Sequence, residues 1–91
     1  MRQVVTIEGE LTIQTAAERK AALLSLLESA DEVEVRLSEI TELDTAGLQV
    51  LLLLKREAAQ LGKTVHLTSP SQAVSDVLEI AHLSSDLEPA R

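Results

Sequence analysis

The chain contains no cysteine, which removes disulfide frameworks, thiolate zinc sites and cysteine nucleophiles together. Phe, Tyr and Trp are absent as well, and with them the rings on which single-stranded bases and sugars stack. Basic charge is scarce: 8 Lys and Arg stand against 15 Asp and Glu, a formal net charge of -7. A binder of phosphate backbones carries the opposite balance, so nucleic acid is not expected as a partner. Long apolar runs are missing too. The longest, Val50 to Leu54, falls far short of the roughly 20 residues that cross a bilayer. Met1-Arg2-Gln3 and the alternating residues after it lack the apolar stretch of a signal peptide. These absences predict a soluble, cytoplasmic protein with no direct membrane insertion.

What is present is aliphatic. Hydrophobic residues make up 45% of the 91 residues, enough for one core and one domain over 1–91 without metal or disulfide support. The hydrophobic pattern switches repeatedly between period two and period 3.6, the mark of alternating strands and helices. Val4 to Ile7 reads as a strand, Gly9 as a turn and Leu11 to Ile13 as a short second strand. Thr15, with Glu18 three residues on, reads as a capping box for a helix running to about Glu28. Val33, Val35 and Leu37 alternate with Glu32, Glu34 and Arg36, giving one apolar and one wet face. After Gly62 the alternation returns, with Val65 and Leu67 on one side and Thr64, His66 and Thr68 on the other. A last helix starts near Ser71, after Ser69-Pro70, and fades near Ala81. The expected fold is α/β: a small mixed, mostly parallel sheet with helices packed on one face and right-handed crossovers.

The link from the third strand to the second helix, Ile40-Thr41-Glu42-Leu43-Asp44-Thr45-Ala46-Gly47-Leu48, is the least generic part of the chain. Asp44 stands where an N-cap belongs, able to accept from first-turn amides at the positive end of the helix. Gly47 lies one turn into the helix, where it costs about 1 kcal/mol relative to Ala, so its presence asks for a reason such as close backbone approach. Thr45 places a hydroxyl at the helix mouth, where a phosphate or a partner's polar group is well received. Local physics also allows a plainer reading, in which Asp-Thr is simply a good helix start.

The stretches Leu37-Ser38-Glu39-Ile40, Leu43-Asp44-Thr45-Ala46-Gly47-Leu48 and Lys55-Arg56-Glu57-Ala58 resemble the STAS family, shared by bacterial anti-sigma-factor antagonists and the cytoplasmic tails of sulfate transporters. The resemblance covers essentially the whole chain and implies no enzymatic activity, no cofactor, and function through reversible protein contacts around this loop. One departure matters. In antagonists controlled by a partner kinase, the phosphorylated Ser or Thr immediately precedes the Gly, and Ala46 stands there without a hydroxyl. Thr45 is the adjacent candidate phosphoacceptor. D-T-A-G is also similar to the loop of STAS subunits attached to the ATPase of lipid-asymmetry ABC transporters, where the Thr looks like a contact residue.

On the second helix, Leu48, Val50, Leu51, Leu52, Leu54, Ala58 and Ala59 spread over an apolar arc facing the sheet. Leu53 falls outside it, in a strip with Gln49, Arg56 and Gln60. A single exposed Leu is ordinary, yet the strip's closeness to Thr45 makes it a candidate partner surface. The expected partner-binding set is therefore Asp44, Thr45, Ala46, Gly47, Leu48, Gln49, Leu53 and Arg56. The partner implied by the resemblance is a kinase-like anti-sigma factor or other signalling protein, or alternatively an ABC ATPase. His66 reads as a surface histidine. Glu79 and His82 have helical spacing, but a single such pair does not make a carboxylate-bridged metal site. Ser38, Ser69 and Ser71 read as turn and cap residues. No nucleophile elbow, phosphate-cradling glycine loop or H-E-x-x-H motif is present.

Overall fold

The computed structural model describes residues 2–81; His82 and the tail after it lie outside the described residues. Within residues 2–81, five strands and three helices follow one another as β1 (Arg2–Thr6), β2 (Gly9–Leu11), α1 (Ala16–Ser29), β3 (Glu32–Arg36), β4 (Ile40–Leu43), α2 (Thr45–Gln60), β5 (Thr64–Thr68) and α3 (Gln72–Ile80). Among the described residues every strand pairing is parallel: β1 and β5 flank β3, and β2 pairs with β4. The two groups are continuous. The Ile7 amide donates to the Arg36 carbonyl at 3.2 Å and the Gly9 amide to the Glu39 carbonyl at 3.0 Å, so the β1–β2 segment runs beside β3–β4 throughout. The pairing is irregular between Gly9 and Glu10, where Gly9 has a φ of 80°, open to a residue without a Cβ.

Three details differ from the sequence expectation. The second strand is Gly9–Leu11 rather than Leu11–Ile13. Ile40–Leu43 is a strand and not only a link; its buried residues are the first and last, so it shows no period-two alternation. The Thr15–Glu18 capping box does not form: Thr15 makes no side-chain cap bond. Its hydroxyl instead accepts from the Thr12 amide at 3.0 Å and donates to the Glu10 carbonyl at 3.1 Å, tying the β2–α1 loop. Ser71 does cap α3, accepting from the Val74 amide at 3.3 Å.

The core is wholly aliphatic. Val33, Val35, Val65 and Leu67 present one sheet face to α1 and α2, and α3 buries Val74 and Leu78 as it packs on β4. Leu37 joins the two regions: its amide donates to the Thr68 carbonyl at 2.9 Å, and its carbonyl accepts from the Ser71 amide at 3.1 Å.

The opposite sheet face is not simply wet. Glu34, on the central strand, is 6% exposed. Its carboxylate accepts from Arg2 at 2.6 Å and from the Thr68 hydroxyl at 2.8 Å, with Arg36 at 3.8 Å. Arg2 reaches Glu32 at 3.0 Å, and His66 meets the same Glu32 oxygen at 2.6 Å. Residues of β1, β3 and β5 thus join hands across the open face. The Arg2 hydrogen bond, followed by that of Thr68, holds the Glu34 carboxyl below the usual glutamate range, against the opposing pull of burial. A depressed folded-state pKa contributes stability that is full above the unfolded value and lost as pH falls through the folded one. Urea unfolding midpoints are therefore expected to fall below about pH 4.3, where an unfolded glutamate takes up its proton, and Glu34→Gln is expected to flatten that part of the profile.

Candidate functional site

The N-terminal turn of α2 is fastened to the β2–α1 connection from two directions. Asp44, the N-cap, has extended backbone (φ -118°, ψ -174°). One carboxylate oxygen accepts from the Gly47 amide at 2.9 Å, and the other accepts from the Ile13 amide at 2.9 Å. The same carboxylate therefore caps its own helix and pins a loop distant in sequence. These amide donors, Gly47 first, hold the Asp44 carboxyl below the ordinary aspartate range.

Gly47 supplies the second fastening. A Cβ at this position would lie 1.9 Å from the Leu11 carbonyl oxygen and 2.8 Å from Leu43 Cδ1, so only hydrogen fits between helix and strand. This is the close backbone approach that a glycine inside a helix implies. It sets α2 directly on the end of β2, where Leu11 and Leu43 are in register.

On this frame the predicted residues fall into three positions. Thr45 and Gln49 are exposed and Ala46 is half-buried. Gly47 and Leu48 are buried, and Asp44 is occupied by backbone amides, so it shapes the surface more than it offers itself. Leu53 is half-buried, in a narrow crevice between α1 and α2 lined by Lys20, Leu24 and Val50. Arg56 is exposed, about 16 Å further along the helix than Thr45.

Asp44, Thr45 and Leu48 also line a groove of about 330 Å³, completed by Leu43 and by Val77, Ile80 and Ala81 of α3. The α3 residues were not among the expected site residues. Ile80, 80% exposed, lies off the helix face that buries Val74 and Leu78, and that misfit was the available signal. Ile13, whose amide Asp44 accepts from, is 73% exposed.

A family model described as Mlab, STAS domain matches residues 1–89. The chain belongs to the STAS family. Among solved structures this STAS domain is similar to the Bacillus anti-sigma factor antagonist SpoIIAA. For the unphosphorylated form the TM-score is 0.79 at 19% identity, covering 100% of this chain and 83% of that one. For the phosphorylated form it is 0.74 at 18% identity, covering 100% and 86%. The STAS domain of a SulP transporter from Vibrio cholerae gives a TM-score of 0.70 at 19% identity, covering 99% and 73%. These likenesses establish a shared fold. No helix among the described residues is long and apolar enough to cross a membrane.

Two outcomes follow from the fastenings. Gly47→Ala gains about 1 kcal/mol of helix propensity yet forces a methyl into the Leu11 carbonyl; the expected net result is a loss of about 1–3 kcal/mol in denaturant unfolding. Asp44→Ala frees the Ile13 and Gly47 amides together, so hydrogen exchange at both is expected to accelerate while amides of β3 stay protected.

Proposed function

We propose that this STAS domain is a non-enzymatic regulator that docks onto a protein partner through Asp44–Leu48 and the adjoining face of α2, from Gln49 past Leu53 to Arg56. The observation that carries this reading is the placement of Thr45. It is an exposed hydroxyl on the first turn of a long helix, held by Asp44 and Gly47 on a fixed frame at the rim of an apolar groove. With the Gly47 amide already taken by Asp44, what this turn offers a partner group is the exposed Thr45 hydroxyl at the start of the helix. In the leading reading the protein acts as an anti-sigma-factor antagonist does, in a bacterial signalling pathway, with a kinase-like anti-sigma factor or other signalling protein as partner; the likeness to both forms of SpoIIAA supports it.

A second reading makes the chain a STAS subunit bound to the ATPase of a phospholipid-transporting ABC system. Two observations favour it: Ala46 takes the place of the hydroxyl a phosphoswitch uses, and the matching family model is the Mlab one. Thr45 is then a permanent contact. In the first reading Thr45 is the candidate phosphoacceptor or, as in the second, a contact. A phosphate there adds about -1.5 to -2 charge beside Asp44 and Glu42, repelling an acidic partner surface while leaving the helix end favourably charged.

Both readings place Thr45 in the contact. Thr45→Glu is expected to weaken partner binding at least about tenfold, the scale of a lost central contact, with the unfolding midpoint retained. Titration of the purified partner checks this, and unchanged affinity contradicts it. The identity of the partner, a kinase-like protein or an ABC ATPase, separates the two readings.

A further inference from the structure

The cations of the molecule are distributed unevenly. Arg2 and Arg36 face Glu34 on the open sheet face, Arg19 donates to the Glu8 carbonyl, Lys63 donates to the Leu27 carbonyl, and Lys55 is engaged as well. Among the described residues, Lys20 and Arg56 are the two Lys or Arg side chains with no hydrogen bond or ion pair, and both are exposed. They flank one apolar spot. Lys20 lines the crevice where Leu24 of α1 meets Leu53 of α2, and Arg56 follows Leu53 by three residues, about 5–6 Å away between Cβ atoms on one helix surface. α2 carries no charged residue from Thr45 to Leu54. Of the carboxylates on these helices, Glu18, two residues before Lys20, falls on the far side of α1 from it. Glu28 lies two turns beyond Lys20, and Glu57 is half-buried beside Arg56.

We infer that the partner reaches from α2 onto α1 and presents there an acidic segment, with an apolar side chain over Leu24 and Leu53 and carboxylates facing Lys20 and Arg56. The inference rests on the docking reading above and deepens it: Lys20 joins the contact surface, and the partner segment has a stated charge. A chain with net charge -7 repels acidic partners at long range, so a carboxylate is admitted only where uncompensated cations stand close by. That condition is met beside Leu53. The stems of Lys20 and Arg56 extend the apolar area around the leucines while their heads stay in water. Leu53 lies about 12 Å along α2 from Thr45, near enough for one partner surface to cover both, and an acidic surface is the kind that a phosphate at Thr45 repels.

The test uses the isotope-labelled protein and two short synthetic helical peptides with the same leucine face, one bearing Glu on its polar face and the other Lys. Net charge alone favours the basic peptide; the inferred site favours the acidic one. The acidic peptide is expected to shift the amides of Lys20, Leu24, Leu53 and Arg56 saturably, to bind at least about tenfold tighter than the basic one, and to weaken as salt is raised. Lys20→Glu is expected to weaken it about tenfold with the unfolding midpoint retained, and Lys20→Arg to leave it bound as before. Lys20→Glu combined with Arg56→Glu is expected to reverse the preference. A basic peptide bound as tightly as the acidic one, no binding of the acidic peptide, or shifts that spare α1 overturns the inference. Because neither peptide is the native partner, that failure leaves the Thr45→Glu titration to judge the docking reading by itself.

Discussion

The first turn of α2 rests on the Leu11 carbonyl with room only for the hydrogen of Gly47, and much of the molecule is organised by that contact. It fixes how near the longest helix comes to the β2–β4 ribbon, and hence how Leu48, Leu51 and Leu54 enter the core. Asp44 completes the arrangement by holding the loop that follows Leu11 through the Ile13 amide. A helix N-terminus is ordinarily a place where backbone amides seek partners. Here one carboxylate supplies two acceptors, and the hydroxyl next to it is left outward on a rigid mount. The surface near Thr45 is thus set by the same two residues that stabilise the packing beneath it.

The three-stranded half of the sheet is closed in a different way. Its inner face is aliphatic and its outer face is tied by Arg2, Glu34, Thr68, Glu32 and His66. Breaking one partner of a buried, hydrogen-bonded carboxylate leaves the other uncompensated, so these side chains tie edge strands β1 and β5 to β3. The charged network is structural and lies on the opposite sheet face from the helices, whereas Asp44, beside Thr45, is held by the backbone amides of Gly47 and Ile13. Carboxylates are therefore consumed by the fold in two ways, one by cations and a hydroxyl across the open face and one by main-chain amides at a helix end.

Much of this was legible in the sequence, for reasons that are local. Alternation exposed β3 and β5, the Ser69-Pro70 break exposed the start of α3, and a glycine inside a helical pattern demanded a close neighbour. What escaped depends on contacts between distant residues. Ile40-Thr41-Glu42-Leu43 hides its strand because its inward residues are three apart. Glu34 looks solvated until Arg2 and Thr68 arrive from neighbouring strands. Leu53 lies outside the sheet-facing arc of its own helix, yet α1 lies alongside and half covers it. Thr15 looks like a cap, but its hydroxyl is spent within the Thr12–Thr15 turn. The α3 wall of the groove was invisible for the same reason: only the chain's path brings Ile80 beside Thr45.

A protein partner seated on the surface around Thr45 is the central claim. A photo-crosslinking amino acid placed at Gln49, exposed on α2 next to Thr45, and separately at Val4, exposed on the open sheet face, tests this in the living cell. A partner adduct formed from position 49 and not from position 4 is the predicted result. An adduct formed from position 4, with none from position 49, contradicts it.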